Sequence, residues 1–329
     1  MPSALPDITA EQLNVISEIY QDYIDLQGVT GDTNLDIFLR SIMHVHGSPE
    51  TNTDATRKKR WWVETTTGTV GEVDAAGVYQ GIDFNEDRIV YETTGTMIEM
   101  GTYFKTASRN FAQLRQFISA IETTTEGQQE AARTFTRKNY GAIIDGWMRN
   151  AMITRLKKDL QDLLDAGEND TVFGDTIFAH TGPLNKTDNL INGGMSKDAI
   201  DTLVNRAHQA VDYQGNTLTF TQPKFFLVDS NILSKTISLL KNSMTVNETH
   251  RNILDLWNND ALVVPIKTAV AGDGYAFTSD PPIVFLVETV APQSKIAEDD
   301  FGNPTWMLSH IYKFMWKSKV GGWKIKAAV

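Results

Sequence analysis

Two stretches decide how this chain is read: VETTTGTVGEV at positions 63–73 and RIVYETTGTMIEMGTYF at 88–104. Threonine and valine suit a pleated, half-buried backbone, and the interspersed glycines mark bulges or kinks. The two flank a polar, glycine-containing centre, so the simplest arrangement is a long β-hairpin over residues 61–104. Large apolar side chains are sparse in it, and a lone hairpin is marginally stable in water. It must therefore rest on another surface. Its charge is one-sided, with Glu64, Glu72, Asp74, Asp83, Glu86, Asp87, Glu92 and Glu99 against Arg88 alone. Trp61 and Trp62 read as core anchors at its base, ahead of a ligand-stacking role.

Working outward, residues 8–46 read as a helical arm. Thr9 caps a first segment bearing Leu13, Ile16, Ile19, Tyr20 and Ile24, and Leu35, Phe38, Leu39, Ile42 and Met43 repeat at helical spacing after a break at 28–31. SPETNTDATRKKR (48–60) is a polar linker holding the basic cluster Arg57, Lys58, Lys59 and Arg60, read as solvated rather than as a nucleic-acid contact. Beyond the hairpin, Phe111, Leu114, Phe117, Ile118 and Ile121 share a helical face. After an interruption at 123–127, Tyr140, Ile144, Trp147, Ala151, Leu156, Leu160 and Leu163 form a long stripe that Gly167 is placed to end. A helix of about 35–40 residues would run over roughly 50 Å. Residues 196–290 read as a separate α/β layer. In it Ser196 caps a helix, the run Phe225–Val228 is a buried strand, Asp229 or Ser230 caps a further helix, and 262–266 and 283–290 are strands. In 310–318, Tyr312, Phe314 and Trp316 alternate with Lys313 and Lys317, and Gly321-Gly322 reads as a hairpin turn into 323–326. The divisions are thus 1–60, 61–104, 105–195, 196–280 and 281–329.

The 329 residues, 41% of them hydrophobic, suffice for one large or two moderate domains. The formal net charge of −11 keeps the average surface off nucleic acid, and the absence of cysteine excludes disulfides, thiolate metal sites and a thiol nucleophile. No apolar run approaches a membrane span and the N-terminus lacks a signal-peptide pattern, so an acidic intracellular protein is expected. The dipeptide Gly-Lys of a phosphate loop, a Gly-x-Gly-x-x-Gly unit, a Gly-x-Ser-x-Gly elbow and His-Glu-x-x-His are all missing. His44 and His46 are too poorly spaced for a metal pair, and Asp159, Asp162, Asp165, Glu168 and Asp170 read as the solvated end of a helix. No catalytic, cofactor or metal residue is expected, and the chain does not read as an enzyme.

The order of parts — helical arm, acidic hairpin, very long helix, then an α/β unit closing in aromatic strands — resembles the major capsid proteins of tailed bacteriophages, the Hong Kong 97 fold. The second half is most similar to the Mu-like major head subunits. The stretches that carry this are Phe178-Ala-His through Leu184 to Asn189-Leu190, the helix from Ser196, the spacer Asp212-Tyr-Gln-Gly, and the strand ending Phe226-Leu-Val. Leu239-Leu-Lys-Asn-Ser, Val263-Val-Pro, Tyr275 to Asp280, His310-Ile-Tyr-Lys-Phe and Gly321-Gly-Trp follow in order.

The resemblance implies an α+β subunit with an N-terminal arm, an extended loop at 61–104 lying across a neighbouring subunit, and a spine helix near 134–166. It also implies a peripheral domain, and an axial domain near 196–280 that meets its copies around five- and six-fold axes. It implies self-assembly into hexamers and pentamers, a portal protein at one vertex, packaged DNA held without sequence-specific contact, and a virion location after assembly in the host cytoplasm. Residues 61–104 contain no lysine, so the covalent loop cross-link of some relatives is not expected. Only sixty residues precede the loop, which favours a separate scaffolding protein, and a decoration protein is possible in such a shell. From the charges themselves, the acidic loop is expected to rest on a basic surface of the next copy made of Arg133, Arg137, Lys138, Lys313 and Lys317, with Lys319, Lys324 and Lys326 beside them. The competing readings are an encapsulin-type compartment enclosing enzyme cargo, a soluble α/β enzyme, and a monomeric binding module.

Overall fold

Asp32 starts the first helix described, its carboxylate accepting from the backbone N–H groups of Asn34 and Leu35 at 3.2 and 3.3 Å. The computed structural model describes residues 29–30, 32–45, 58–65, 72–73, 79–80, 89–105, 149–172, 175–180, 188–211, 222–241, 261–290, 292–298 and 304–327. Helix α1 (Thr33–Ile42) runs straight into β1 (Met43–Val45). Then come β2 (Lys58–Thr65), β3 (Glu72–Val73), β4 (Tyr79–Gln80), β5 (Ile89–Thr96), β6 (Ile98–Lys105), α2 (Asn150–Ala166), β7 (Thr171–Val172), β8 (Asp175–Thr176), β9 (Leu190–Ile191), α3 (Lys197–His208) and β10 (Phe225–Asp229). A 3₁₀ turn (Ser230–Ile232) leads to α4 (Leu233–Lys241), followed by β11 (Leu262–Ile266), β12 (Gly274–Phe277), β13 (Ile283–Val287), β14 (Gln293–Glu298), β15 (Pro304–Trp316) and β16 (Gly322–Ile325).

Two five-stranded sheets form the body. The first is organised on β15. Tyr312 pairs with both Val287 and Ile98, and Ser309 pairs with both Gln293 and Gly101. A strand residue has one partner per edge, so β13 and β14 lie in line along one edge of β15 and β6 along the other. β1 adds to the far side of β13 in parallel. The second sheet has the order β11-β10-β12-β16-β9, with parallel pairs at its two ends and antiparallel pairs in the middle.

The second sheet is apolar on both faces, as a strand such as Phe225–Asp229 requires when every residue in it is buried. Phe225, Leu227, Val264, Tyr275 and Phe277 join α1, α2 and one face of the first sheet in the main core. Phe226, Val228, Ala276, Trp323 and Ile325 face α3 and α4. Phe38 of α1 is fully buried, 5.4 Å from the Phe225 ring and 6.0 Å from that of Phe277. Each such side chain contributes about 1.5–3 kcal/mol.

Several sequence expectations meet their residues here. Leu35, Phe38, Leu39 and Ile42 form one buried stripe, but the stripe faces this chain's own core, so residues 32–45 are not an outlying arm. The helix ends at Ile42 because Met43, His44 and Val45 pair with Phe285, Leu286 and Val287. Ser196 caps α3, accepting from Ala199 N–H at 3.2 Å. The alternation in β15 holds, with Tyr312, Phe314 and Trp316 in the main core. Met315 on the opposite face is buried too, beside Met97, Val284 and Leu286.

The glycine pair does not close a hairpin between β15 and β16. Those strands belong to different sheets, and Gly321, at φ +86°, carries the chain from one to the other. A Cβ on Gly321 would stand 2.9 Å from Thr278 Oγ1, and one on Gly322 would stand 2.8 Å from Pro282 Cγ. The glycines are there to let the chain press against residues 277–282. The expected stretches 8–28, 111–147 and 212–220 lie outside the described residues.

Candidate assembly surface

β2 and β5 pair antiparallel in register from Lys58↔Thr96 to Thr65↔Ile89, and among the described residues they form a two-stranded sheet with no third strand. Trp61 lies opposite Thr93, and Trp62 opposite Glu92. The short pair β3 and β4 brings Glu72 opposite Gln80 further out along the same segment. The expected hairpin therefore exists, but it ends sooner than residue 104. Met97 is buried in the smaller cluster, and Ile98–Lys105 is a strand of the first sheet. Hydrogen bonding explains this: β15 is thirteen residues long, and its second edge would otherwise go unpaired. The ribbon thus joins the body at Met97, where β5 gives way to β6, and forms a ladder separate from the first sheet.

Of the residues expected between copies, Trp61, Trp62, Glu64, Glu72 and Glu92 lie on this ribbon, and Glu99 lies exposed on β6. Asp74, Asp83, Glu86, Asp87, Arg88, Arg133, Arg137 and Lys138 lie outside the described residues. Lys313 is half-buried on β15, while Lys317 pairs with Asp280.

Of the remaining closing-strand lysines, Lys319 and Lys324 point inward, while Lys326 is partly exposed. Lys319 is 1% exposed. The Lys324 ammonium, 4% exposed, stands 2.7 Å from Glu168 Oε1 and 3.0 Å from Asp273 Oδ2, and 5.4 Å from the centre of the Tyr275 ring. Lys326 holds the other Glu168 oxygen at 2.8 Å. Burial alone would raise the Glu168 pKa, but the two ammonium groups outweigh it and hold the carboxyl below its ordinary range. Burial would likewise lower Lys324, and Glu168 and Asp273 reverse that, so it is raised. Lys324 is therefore no surface ion-pair partner for an acidic loop, and Lys326 is already paired with Glu168 of its own chain.

Nor is the acidic run on α2 a solvated helix end. Tyr312 donates its hydroxyl to Asp159 Oδ2 at 2.7 Å, and Tyr275 donates to Asp165 Oδ1 at 2.8 Å. Burial first, and these carboxylates second, push both phenols up. Asp159 ties α2 to the first sheet, while Asp165 and Glu168 tie it to the second. No sequence motif marks this set, although the i, i+6, i+9 spacing near the end of an amphipathic helix is its trace. Among the described residues, no group of three or more His, Asp or Glu side chains could hold a metal ion. No helix among them is long and apolar enough to cross a membrane.

No family model matches the chain, and no curated protein matches it. Solved structures do. The capsid of Ralstonia phage GP4 is 10% identical, with a TM-score of 0.47 over 88% of this chain and 90% of that one. The head structure of Helicobacter pylori bacteriophage KHP40 is 9% identical, with a TM-score of 0.47 over 86% of each chain. The holo-SrpI encapsulin complex from Synechococcus elongatus is 10% identical, with a TM-score of 0.42 over 87% of this chain and 84% of that one.

Proposed function

We propose that this chain is the major capsid subunit of a tailed bacteriophage, assembling with itself into hexamers and pentamers of an icosahedral shell that encloses double-stranded DNA. The observation that carries the reading is the ribbon. A two-stranded sheet is marginal in water, yet β2 and β5, with no third strand beside them among the described residues, sustain eight paired positions in register. Such a ladder gains from lying on another copy, where an obligate interface buries about 2,000–5,000 Å². The ribbon's root strand β6 is at the same time locked into the subunit's own sheet, so a load on the ribbon passes directly to the body. Shell strength is non-covalent in this reading, because residues 61–104 offer no lysine for a cross-link. A portal protein at one vertex, a separate scaffolding protein and a decoration protein are the partners such a shell would have.

Electron microscopy of the purified full chain tests this. Closed icosahedral particles are the expected result, and a species of one to six subunits at every concentration would overturn it. Particles recovered from the native source containing protein cargo instead of DNA would replace the virus with an encapsulin-type compartment.

A further inference from the structure

Between the pairs Val287↔Tyr312 and Gln293↔Ser309, one edge of the first sheet advances six residues while β15 advances three. The surplus forms a bulge, of which residues 288–290 and 292 are described. It is held open from behind by His310, which is 2% exposed and whose Nε2 lies 3.0 Å from the Thr289 carbonyl oxygen. On the opposite face, that of Ser309 and Ile311, the bulge leaves a cleft of about 230 Å³ lined by Glu288, Thr289, Gln293, Ser309 and Ile311. That is smaller than the ~300–1,000 Å³ of small-molecule sites and suits a few inserted side chains. The Glu288 backbone N–H donates to the Ile311 carbonyl at 3.0 Å, while its carboxylate has no hydrogen-bond or ion-pair partner among the described residues; Val290 close by is 47% exposed.

Elsewhere the same chain carries a shape that answers this one. The loop between β11 and β12 presents Ala269, Val270 and Ala271 to solvent, with Val270 at 54% exposure. It is not a slack loop. Thr268 donates through its hydroxyl to buried Asp229 at 2.9 Å, Ala269 N–H donates to Asp165 at 2.9 Å, and Asp273 N–H donates to the Val270 carbonyl at 3.2 Å. Exposed Lys267 stands at its start and has no partner among the described residues. The tip cannot reach the cleft of its own chain. Asp165, which pins it, is on α2, and α2 packs on the other face of the first sheet through Asp159 and Tyr312.

We infer that the Ala269–Ala271 tip of one subunit seats in the bulge cleft of a second copy, with Lys267 of the first paired to Glu288 of the second. A knob and a hole at different places on one chain make a head-to-tail contact, which closes into rings when the rotation permits. Both halves are pre-organised, so little order is lost on docking. This contact rests on the shell reading above.

The test uses the full chain and sedimentation velocity across a concentration series, with circular dichroism to confirm that each variant folds. Lys267→Glu and Glu288→Lys are each expected to raise the concentration needed for assembly about tenfold. The double reversal should return it to within about threefold of the parent. Val270→Asp should raise it as well, and Glu288→Lys should not repair that. Single reversals that assemble like the parent, or a double no better than the singles, would overturn the contact and leave the shell reading standing. A parent that never exceeds a few subunits would overturn both.

Discussion

Gly167 was legible as a helix terminator, but not for the reason that makes it one. Its φ of −62° is ordinary right-handed helix, so no left-handed cap is formed. A side chain is excluded instead by Phe178, whose Cδ2 would lie 2.6 Å from an added Cβ, with Trp316 Cζ2 at 3.2 Å. That ring is wedged edge-on against Trp316 and tilted against Tyr275, so it has no room to retreat. Gly167→Ala should therefore destabilise the fold by about 1–3 kcal/mol, as overpacked cores do, despite the better helix propensity of alanine. Chemical denaturation measures this, and a neutral or stabilising effect would show that the wedge yields. His310 gives a second prediction at this scale. Burial lowers its pKa, only partly offset by its bond to the Thr289 carbonyl. The unfolded chain therefore binds the proton first. Stability contributed by neutral His310 is full above about pH 6.5 and is lost as pH falls through the lower folded value. His310→Gln, which keeps a donor for Thr289, should flatten that part of the stability profile between pH 7 and 5.

At the scale of elements, periodicity found what is decided locally and missed what is decided by partners. The α1 stripe, the β15 alternation and the Ser196 cap each follow from a few consecutive residues, and each was readable. Whether α1 reaches out or packs inward depends on Phe225 and Phe277, nearly two hundred residues and more away, and no local pattern carries that. The same holds for the lysines after residue 310: alternation shows which way a strand side chain leans, not that a helix carboxylate waits there. α2 is the element through which both sheets are fixed, at Asp159 to one and at Asp165 and Glu168 to the other. Lys324→Met should cost about 3–5 kcal/mol, because it leaves buried Asp273 without its ammonium partner and half-buried Glu168 with Lys326 alone. Glu168 also has its folded pKa below the unfolded one. Its contribution is thus present above about pH 4.5 and disappears as acid titrates it through the lower folded value. Urea midpoints of parent and variant at pH 7 and pH 4 check both statements: the gap between the two proteins should narrow at the lower pH.

For the whole molecule the decisive question is whether the ribbon belongs to the subunit or to its neighbour. The described cores contain residues of α1, α2, α3, α4 and both five-stranded sheets, and Met97, between β5 and β6, is buried among them. The sequence made the ribbon visible through its threonines and one-sided charge, while its true end at 97 was hidden because β6 has the same composition and differs only in having β15 to pair with. If the ribbon serves another copy, folding and assembly should come apart when it is removed. Replacing residues 60–94 with a short Gly-Ser turn should leave a chain that melts within a few degrees of the parent, since about 1 kcal/mol shifts the midpoint of a domain this large by only about 2–4 °C. The same chain should fail to form particles at concentrations where the parent does. Calorimetry and sedimentation on one preparation separate the outcomes. A shortened chain that no longer folds would place the ribbon in its own subunit's stability, and one that still builds closed particles would remove it from the contacts that hold a shell together.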